Sequence, residues 1–343
     1  MAQNWKWSWS KSLPFCVALL ALIVGQFFLP CHAQSALDQV HVTPQIRSEQ
    51  AADNEEHDAG LNTHTKPIRV DVDLVLVPVT VTDPIDRVVT GLNRENFQVL
   101  EDKRPQEIRH FSSEDVPVSL GVVLDVSHSM VSKMARAREA VLEFLKTANP
   151  QDEFFLITFS DRPEEVCDFT HSVENIQNKL VYTIPRGRTA LLDAIYLGVS
   201  KMRQARYPRK ALLIISDGGD NHSRYTDGEI KSLLKEGDVS VYAIGIYDRT
   251  FATDEERLGP ELLAGITGLT GGRAFTIDNP NYLPATADRI AIELRHQYVL
   301  GYRPDKTVAN GKWHKIKVRL HLRKGFPALH VAAKSGYYAP SEE

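Results

Sequence analysis

The sequence predicts an α/β protein: a doubly wound, mainly parallel six-stranded sheet flanked by helices, with a smaller all-β sandwich-like unit built from the flanking segments. Three observations carry this expectation. Residues 118–124, Val-Ser-Leu-Gly-Val-Val-Leu, form an uncharged run suited to a strand buried on both faces, as central parallel strands are. From residue 116 to residue 295 such runs alternate with segments of helical period. On either side of that region the pattern is one of short β-strands.

Taken in order, residues 34–66 are polar and acidic, with Glu55, Glu56 and Asp58 close together, and read as a flexible leader. The β-rich segment 67–115 opens with residues 68–82, which alternate as a strand until Asp83-Pro84 turns the chain. Short strands follow at 88–89, 97–101 and 108–111. The α/β region, 116–295, begins with the strand 118–124. Met130, Met134, Ala137, Val141, Phe144 and Leu145 then mark one helical face, which Asn149-Pro150 ends. Residues 154–159 form a second buried strand, 166–169 a short edge strand and 173–182 a helix. Ala190, Leu191, Ala194, Ile195 and Met202 lie on a further helical face. Residues 211–215 and 239–246 are core strands. Residues 258–269 make a helix ending at Gly271-Gly272, followed by a strand at 274–277 and a last helix at 282–294. Residues 296–343 return to β pattern, with strands at 298–302, 314–322 and 328–333 separated by Pro304, Gly311 and Gly325. Neither β segment has enough strands to cover its own apolar face and edges, so 296–343 is expected to pair with 67–115.

Residues 1–33 read as an export signal: Lys6 and Lys11 precede the apolar run 15–29, and Cys31-His32-Ala33 offers a small residue for cleavage after Ala33. The alternative is an uncleaved anchor, since the run is close to the ~17 residues a spanning helix needs. Cleavage would remove Cys16 and Cys31. Cys167 would then be the remaining thiol, which excludes a disulfide framework; Val166 and Phe169 beside it suit a packing role. With a formal net charge of −4 nothing points to an electrostatic nucleic-acid binder, and the basic residues between 312 and 334 alternate with apolar ones as on a solvated strand face.

Chemistry begins where the first buried strand ends. Asp125, Ser127 and Ser129 stand at alternate positions, so an extended chain would point all three beyond the strand's carboxyl end, where open α/β sheets place their ligands. Oxygen-only donors suit Mg2+, Mn2+ or Ca2+, and suit zinc or copper poorly. The same residues would also serve as caps of the following helix, and the short motif by itself fits either role. No GxGxxG or GxxxxGK[ST] run is present, so dinucleotide and P-loop readings lack their phosphate-binding backbone.

Two further segments join the first: Gly187-Arg-Thr189 ahead of a helix, and Ile214-Ile-Ser-Asp217-Gly-Gly-Asp-Asn221 at the end of a buried strand. In this order the three segments resemble the von Willebrand factor type A (VWA) domain and its metal-ion-dependent adhesion site, over about residues 116–295. The flanks, with Phe97-Gln-Val-Leu-Glu-Asp102, Tyr298-Val-Leu-Gly-Tyr302 and Gly336-Tyr-Tyr338, are similar to those of a bacterial, acidobacterial-type group of exported VWA-related proteins. The resemblance implies that Ser127, Ser129 and Thr189 bind the ion directly through their hydroxyls, while Asp125 and Asp217 act largely through water. It implies Mg2+, with Mn2+ or Ca2+ as alternatives. Neutral hydroxyls around the ion leave it under-neutralised, so it keeps affinity for a partner's carboxylate. His128 departs from the resemblance, since many members carry Gly between the serines; it is expected to face solvent.

The expectation is therefore an exported binding module, periplasmic, envelope-associated or secreted, and not an enzyme. It would capture a Glu or Asp carboxylate of a protein partner through a divalent ion, with no nucleic acid and no membrane span after signal removal. One rival is a structural or assembly subunit with a vestigial metal site. Another is a serine hydrolase using Ser127 or Ser129; against it, the Gly-x-Ser-x-Gly elbow is absent, and neighbouring Ser and His in an extended segment point apart. Asp220, just past Gly218-Gly219, reads as a turn residue.

Overall fold

The computed structural model describes residues 74–217, 219–247, 254–304, 311–322 and 327–339, with backbone alone at 254–256. The expected export signal, the leader and the start of the first alternating stretch lie outside the described residues. The chain opens with β1 (Val75–Thr82), then β2 (Phe97–Glu101), β3 (Arg104–Gln106) and β4 (Ile108–Ser112). Next come β5 (Val118–Asp125), α1 (Met134–Lys146), β6 (Glu153–Phe159), β7 (Pro163–Thr170), α2 (Val173–Val181) and α3 (Leu191–Lys201). They are followed by β8 (Arg209–Ser216), α4 (Asp227–Glu236), β9 (Ser240–Ile246), α5 (Asp254–Thr270), β10 (Ala274–Ile277) and α6 (Leu283–Arg295). The chain closes with β11 (Tyr298–Tyr302), β12 (Trp313–Leu320), β13 (His330–Ala333) and β14 (Gly336–Tyr338).

The central sheet has six strands in the order β10-β9-β8-β5-β6-β7. β7 alone pairs antiparallel, at the edge, and the other neighbours are parallel. All eight residues of β5 are buried, because helices cover both faces of the sheet. Leu120, Val122 and Leu124 pack with Val141, Phe144 and Ile290 on one face. On the other, Val123 and Leu212 pack with Ile195, Val199 and Ile230.

The flanking strands form two four-stranded sheets, β13-β1-β11-β4 and β14-β12-β2-β3. Each sheet takes strands from before and after the central one. They share one core in which Val77, Val79 and Val81 meet Phe97, Val99, Ile316 and Val318. Tyr298 pins the interior: its hydroxyl donates to the Val89 carbonyl and accepts from the Leu92 amide, both at 3.0 Å, and its ring lies 5.0 Å from that of Phe97. This β unit abuts the amino ends of the parallel strands. There the Gln297 amide donates to Thr80 and to the buried Tyr242 hydroxyl, at 3.2 and 3.1 Å, and Asp86 accepts ion pairs from Arg273 and Arg289, at 2.7 and 3.0 Å. The opposite, carboxyl ends are left for a site.

The structure adds three elements that the sequence reading left out, β3, β14 and α4. It also shifts several boundaries, and at the short strand expected over 88–89 it has only an isolated bridge from Val88 to Thr82. Met130 belongs to a 3-10 turn, His128–Met130, and α1 starts only at Met134.

Candidate metal centre

Asp125 closes β5 and is fully buried. Its Oδ1 accepts the Ser127 amide at 2.8 Å, and its Oδ2 accepts the Ser216 hydroxyl at 2.6 Å, so both oxygens are oriented by neighbours. The parallel register Leu124↔Ile215 sets Asp125 level with Ser216, and Asp217 follows directly. Asp217 is 2% exposed and its Oδ2 accepts from Lys133 Nζ at 3.0 Å. Burial, followed by the charge of Asp217, pushes Asp125 up to about 7, against the pull of its bonds from Ser127 and Ser216.

The chain does not stay extended after Asp125, as the alternation argument assumed. Ser127 is extended, with φ −67° and ψ 169°, but His128 starts the 3-10 turn. That turn still sets the Ser127 and Ser129 hydroxyls 3.0 Å apart, because it folds the chain back over Met130, which is fully buried beneath. His128 is exposed.

Thr189, 4% exposed, is brought in by its backbone. Its loop is tied to the first segment by the His128 amide donating to the Gly187 carbonyl at 3.1 Å and by the Arg186 amide donating to the Val126 carbonyl at 2.8 Å. It is tied to the third by Asn221, which accepts the Thr189 amide at 3.1 Å and donates its own amide to the Thr189 carbonyl at 3.0 Å. Gly187 has φ +78°, and a Cβ there would meet Asp161 Oδ2 at 2.6 Å, so the turn requires glycine. Asp220 has a holding role: its Oδ1 accepts the Leu191 amide at 3.0 Å and the Ser223 hydroxyl at 2.7 Å, which ties the third segment to the start of α3.

All five predicted residues thus belong to three mutually bonded segments at the carboxyl ends of β5 and β8. Three others shape the site and went unnoticed in the sequence: Lys133, Ser216 and Asn221. Lys133 follows Ser129 by one helical turn, yet a lysine there carries no pattern of its own. The donor set is oxygen throughout. Two buried carboxylates, one pushed up toward neutral pH, hold more negative charge than the Lys133 ammonium offsets, which fits a hard divalent cation.

A doubly wound sheet with an oxygen cluster at one end and an all-β unit at the other defines the class of protein. Residues 120–219 match the von Willebrand factor type A domain. The chain carries a VWA domain, set between two β segments that pair with each other. Over 158 residues it is 26% identical to inter-alpha-trypsin inhibitor heavy chain 4 of Mus musculus; the match takes in 40% of this chain and 17% of that relative's length. Among solved structures, a von Willebrand factor type A protein from Catenulispora acidiphila is similar at 13% identity and a TM-score of 0.46, over 79% of this chain and 74% of that one. The PilB minor pilin from Streptococcus sanguinis is similar at 16% identity and a TM-score of 0.45, over 56% and 64%.

Proposed function

We propose that the protein is an exported binding module that captures a carboxylate of a protein partner through a divalent ion held at the ends of β5 and β8. The observation that supports this reading is the meeting of Ser127 and Ser129 hydroxyls, 3.0 Å apart, beside the buried acids Asp125 and Asp217. Ser127, Ser129 and Thr189 would hold the ion through their hydroxyls, and Asp125 and Asp217 through water. When bound, the ion supplies an electrophilic position that a Glu or Asp side chain can fill; Mg2+ is the first candidate, with Mn2+ or Ca2+ as alternatives.

This chain's own residues prepare that position. Ser216 and the Ser127 amide fix the Asp125 carboxylate, so it cannot turn away from the hydroxyls. His128 is exposed beside them, where an approaching partner would meet it. The Ser127 and Ser129 hydroxyls bond each other, which speaks for a ligand pair more than for a nucleophile with a histidine base.

Residues 1–33 would direct export, leaving a mature chain that begins at Gln34. No helix among the described residues is long and apolar enough to cross a membrane. Sequencing the amino terminus of native material tests this, since a start at Met1 or Ala2 in membrane fractions would replace the cleaved signal by an anchor.

The binding reading is tested by calorimetric titration of the metal-stripped protein with Mg2+, Mn2+ and Ca2+, alongside Asp125→Ala, and by partner capture from the native envelope in Mg2+ and in EDTA. Uptake of one ion, lost in the variant, and EDTA-sensitive capture are expected. One specific observation favours a second reading: Lys133 already gives Asp217 a cation. Under that reading the site is vestigial, no ion is taken up, and capture proceeds unchanged in EDTA.

A further inference from the structure

A second group of ligating side chains lies in the β unit. Glu101 ends β2, Asp102 starts the turn into β3, and His314 lies on β12 beside them through the register Ile316↔Glu101. His314 Nδ1 stands 2.7 Å from Asp102 Oδ2 and 3.6 Å from Glu101 Oε1. One ligand atom from each of the three falls within 4.8 Å of the others.

Asp102 cannot swing out, because its Oδ1 accepts the Lys315 amide at 3.0 Å and its own amide donates to the Lys315 carbonyl at 2.9 Å. Glu101 is 4% exposed, and its Oε1 accepts the Tyr337 hydroxyl at 3.0 Å. Its other oxygen, Oε2, is buried without a hydrogen-bond partner, although it belongs to a carboxylate bordering the cluster. A buried, unsatisfied carboxylate oxygen is costly, and a cation held in the cluster would offset it.

We infer that Glu101, Asp102 and His314 form a second metal site, which takes Zn2+ through two carboxylate oxygens and one imidazole nitrogen and clips the β2–β3 hairpin to β12. Zinc binds such ligands at about 2.0–2.2 Å in a tetrahedron, which sets them roughly 3.3 Å apart. The observed 2.7 and 3.6 Å bracket that spacing and the third separation is within 4.8 Å, so the ion would draw the three atoms together by rotation of Glu101 and His314. In its absence a proton on His314 Nδ1 can lie between the two acids. Zinc would take the Nδ1 lone pair, that proton being released to solvent or carried on Nε2, and water would fill the fourth position. The imidazole sets this site apart from the oxygen-only cluster at β5 and β8, which suits zinc poorly.

The site is tested on the full chain, untagged and stripped of metal, with Asp125→Ala as background to remove the first cluster. Calorimetric titration with Zn2+ is expected to show one equivalent bound. Adding Asp102→Asn, at a residue whose side chain is about half exposed and so tolerant of change, is expected to weaken binding at least tenfold. His314→Ala should do the same, with circular dichroism checking that each variant is folded. Co2+ gives an independent readout: intense visible absorption of a tetrahedral centre, lost in the folded Asp102→Asn variant. Either of two results overturns the inference: no Zn2+ uptake on the Asp125→Ala background, or uptake whose affinity neither Asp102→Asn nor His314→Ala changes.

Discussion

Lys133 Nζ donates to Asp217 Oδ2 across 3.0 Å, in an ion pair whose acid is 2% and whose base is 14% exposed. The ammonium comes from the turn before α1 and the carboxylate from the end of β8, so the pair ties two of the three site segments together. It also gives the site a cation of its own. A divalent ion arriving at the hydroxyls must share Asp217 with Lys133 or displace it.

Lys133→Met should therefore tighten Mg2+ binding, by about tenfold, or ~1.4 kcal/mol, while lowering the stability of the metal-free protein. Calorimetry and thermal melts in EDTA measure the two effects separately. Unchanged affinity would mean that the lysine does not compete.

Proton linkage at Asp125 gives a second expectation. Its carboxyl is raised from 3.8 to about 7 in the native state, so between those values the native state binds more protons than the unfolded one. Stability of the metal-free protein should fall as pH rises from about 4 to about 7, by up to ~4 kcal/mol, and level off above. Urea midpoints across that range in EDTA check it, and Asp125→Asn should flatten the slope.

Gly121 lies in the middle of β5, where an added Cβ would meet the Phe155 ring at 2.3 Å and Leu212 Cδ2 at 2.4 Å. Both neighbours are fully buried core residues. Gly121→Ala is expected to cost about 1–3 kcal/mol through overpacking, read from chemical denaturation.

Thr226 caps α4 in a reciprocal box: its Oγ1 accepts the Glu229 amide at 3.3 Å, and its own amide donates to Glu229 Oε2 at 2.8 Å. Thr226→Ala should destabilise the protein by about 1 kcal/mol, with no effect on metal affinity. A change in Mg2+ binding in this variant would show that α4 and the site are coupled.

That cap is also a lesson in what the sequence made legible. Thr226-x-x-Glu229 is a helix-start signal, and Ile230 and Leu234 supply the buried positions after it. The helix escaped notice because most of its residues are polar and its apolar face is only two buried residues wide. The uncharged run before Asp125 was far easier to read, since a strand buried on both faces leaves no room for polar side chains. The pairing of the flanks into a sandwich-like unit was legible for a similar reason, because each flank alone would leave apolar edges bare. β3 and β14 were not, because three residues carry no usable period. At the candidate centre, the residues at motif spacing stood out, whereas Ser216, Asn221 and Lys133 act through a register and loop crossings that exist only in three dimensions.

β4 and β11 are neighbours in one sheet, with Ser112 opposite Val299, although the whole six-stranded central sheet lies between them in the chain. The chain thus enters and leaves that central sheet through two strands that are hydrogen-bonded to each other. Tension applied to the segments before β1 and after β14 would pass through the β1–β13 pairing and the sandwich around it. The inserted domain would stand outside the path of the load, and the candidate metal centre would keep its shape while the protein is being pulled.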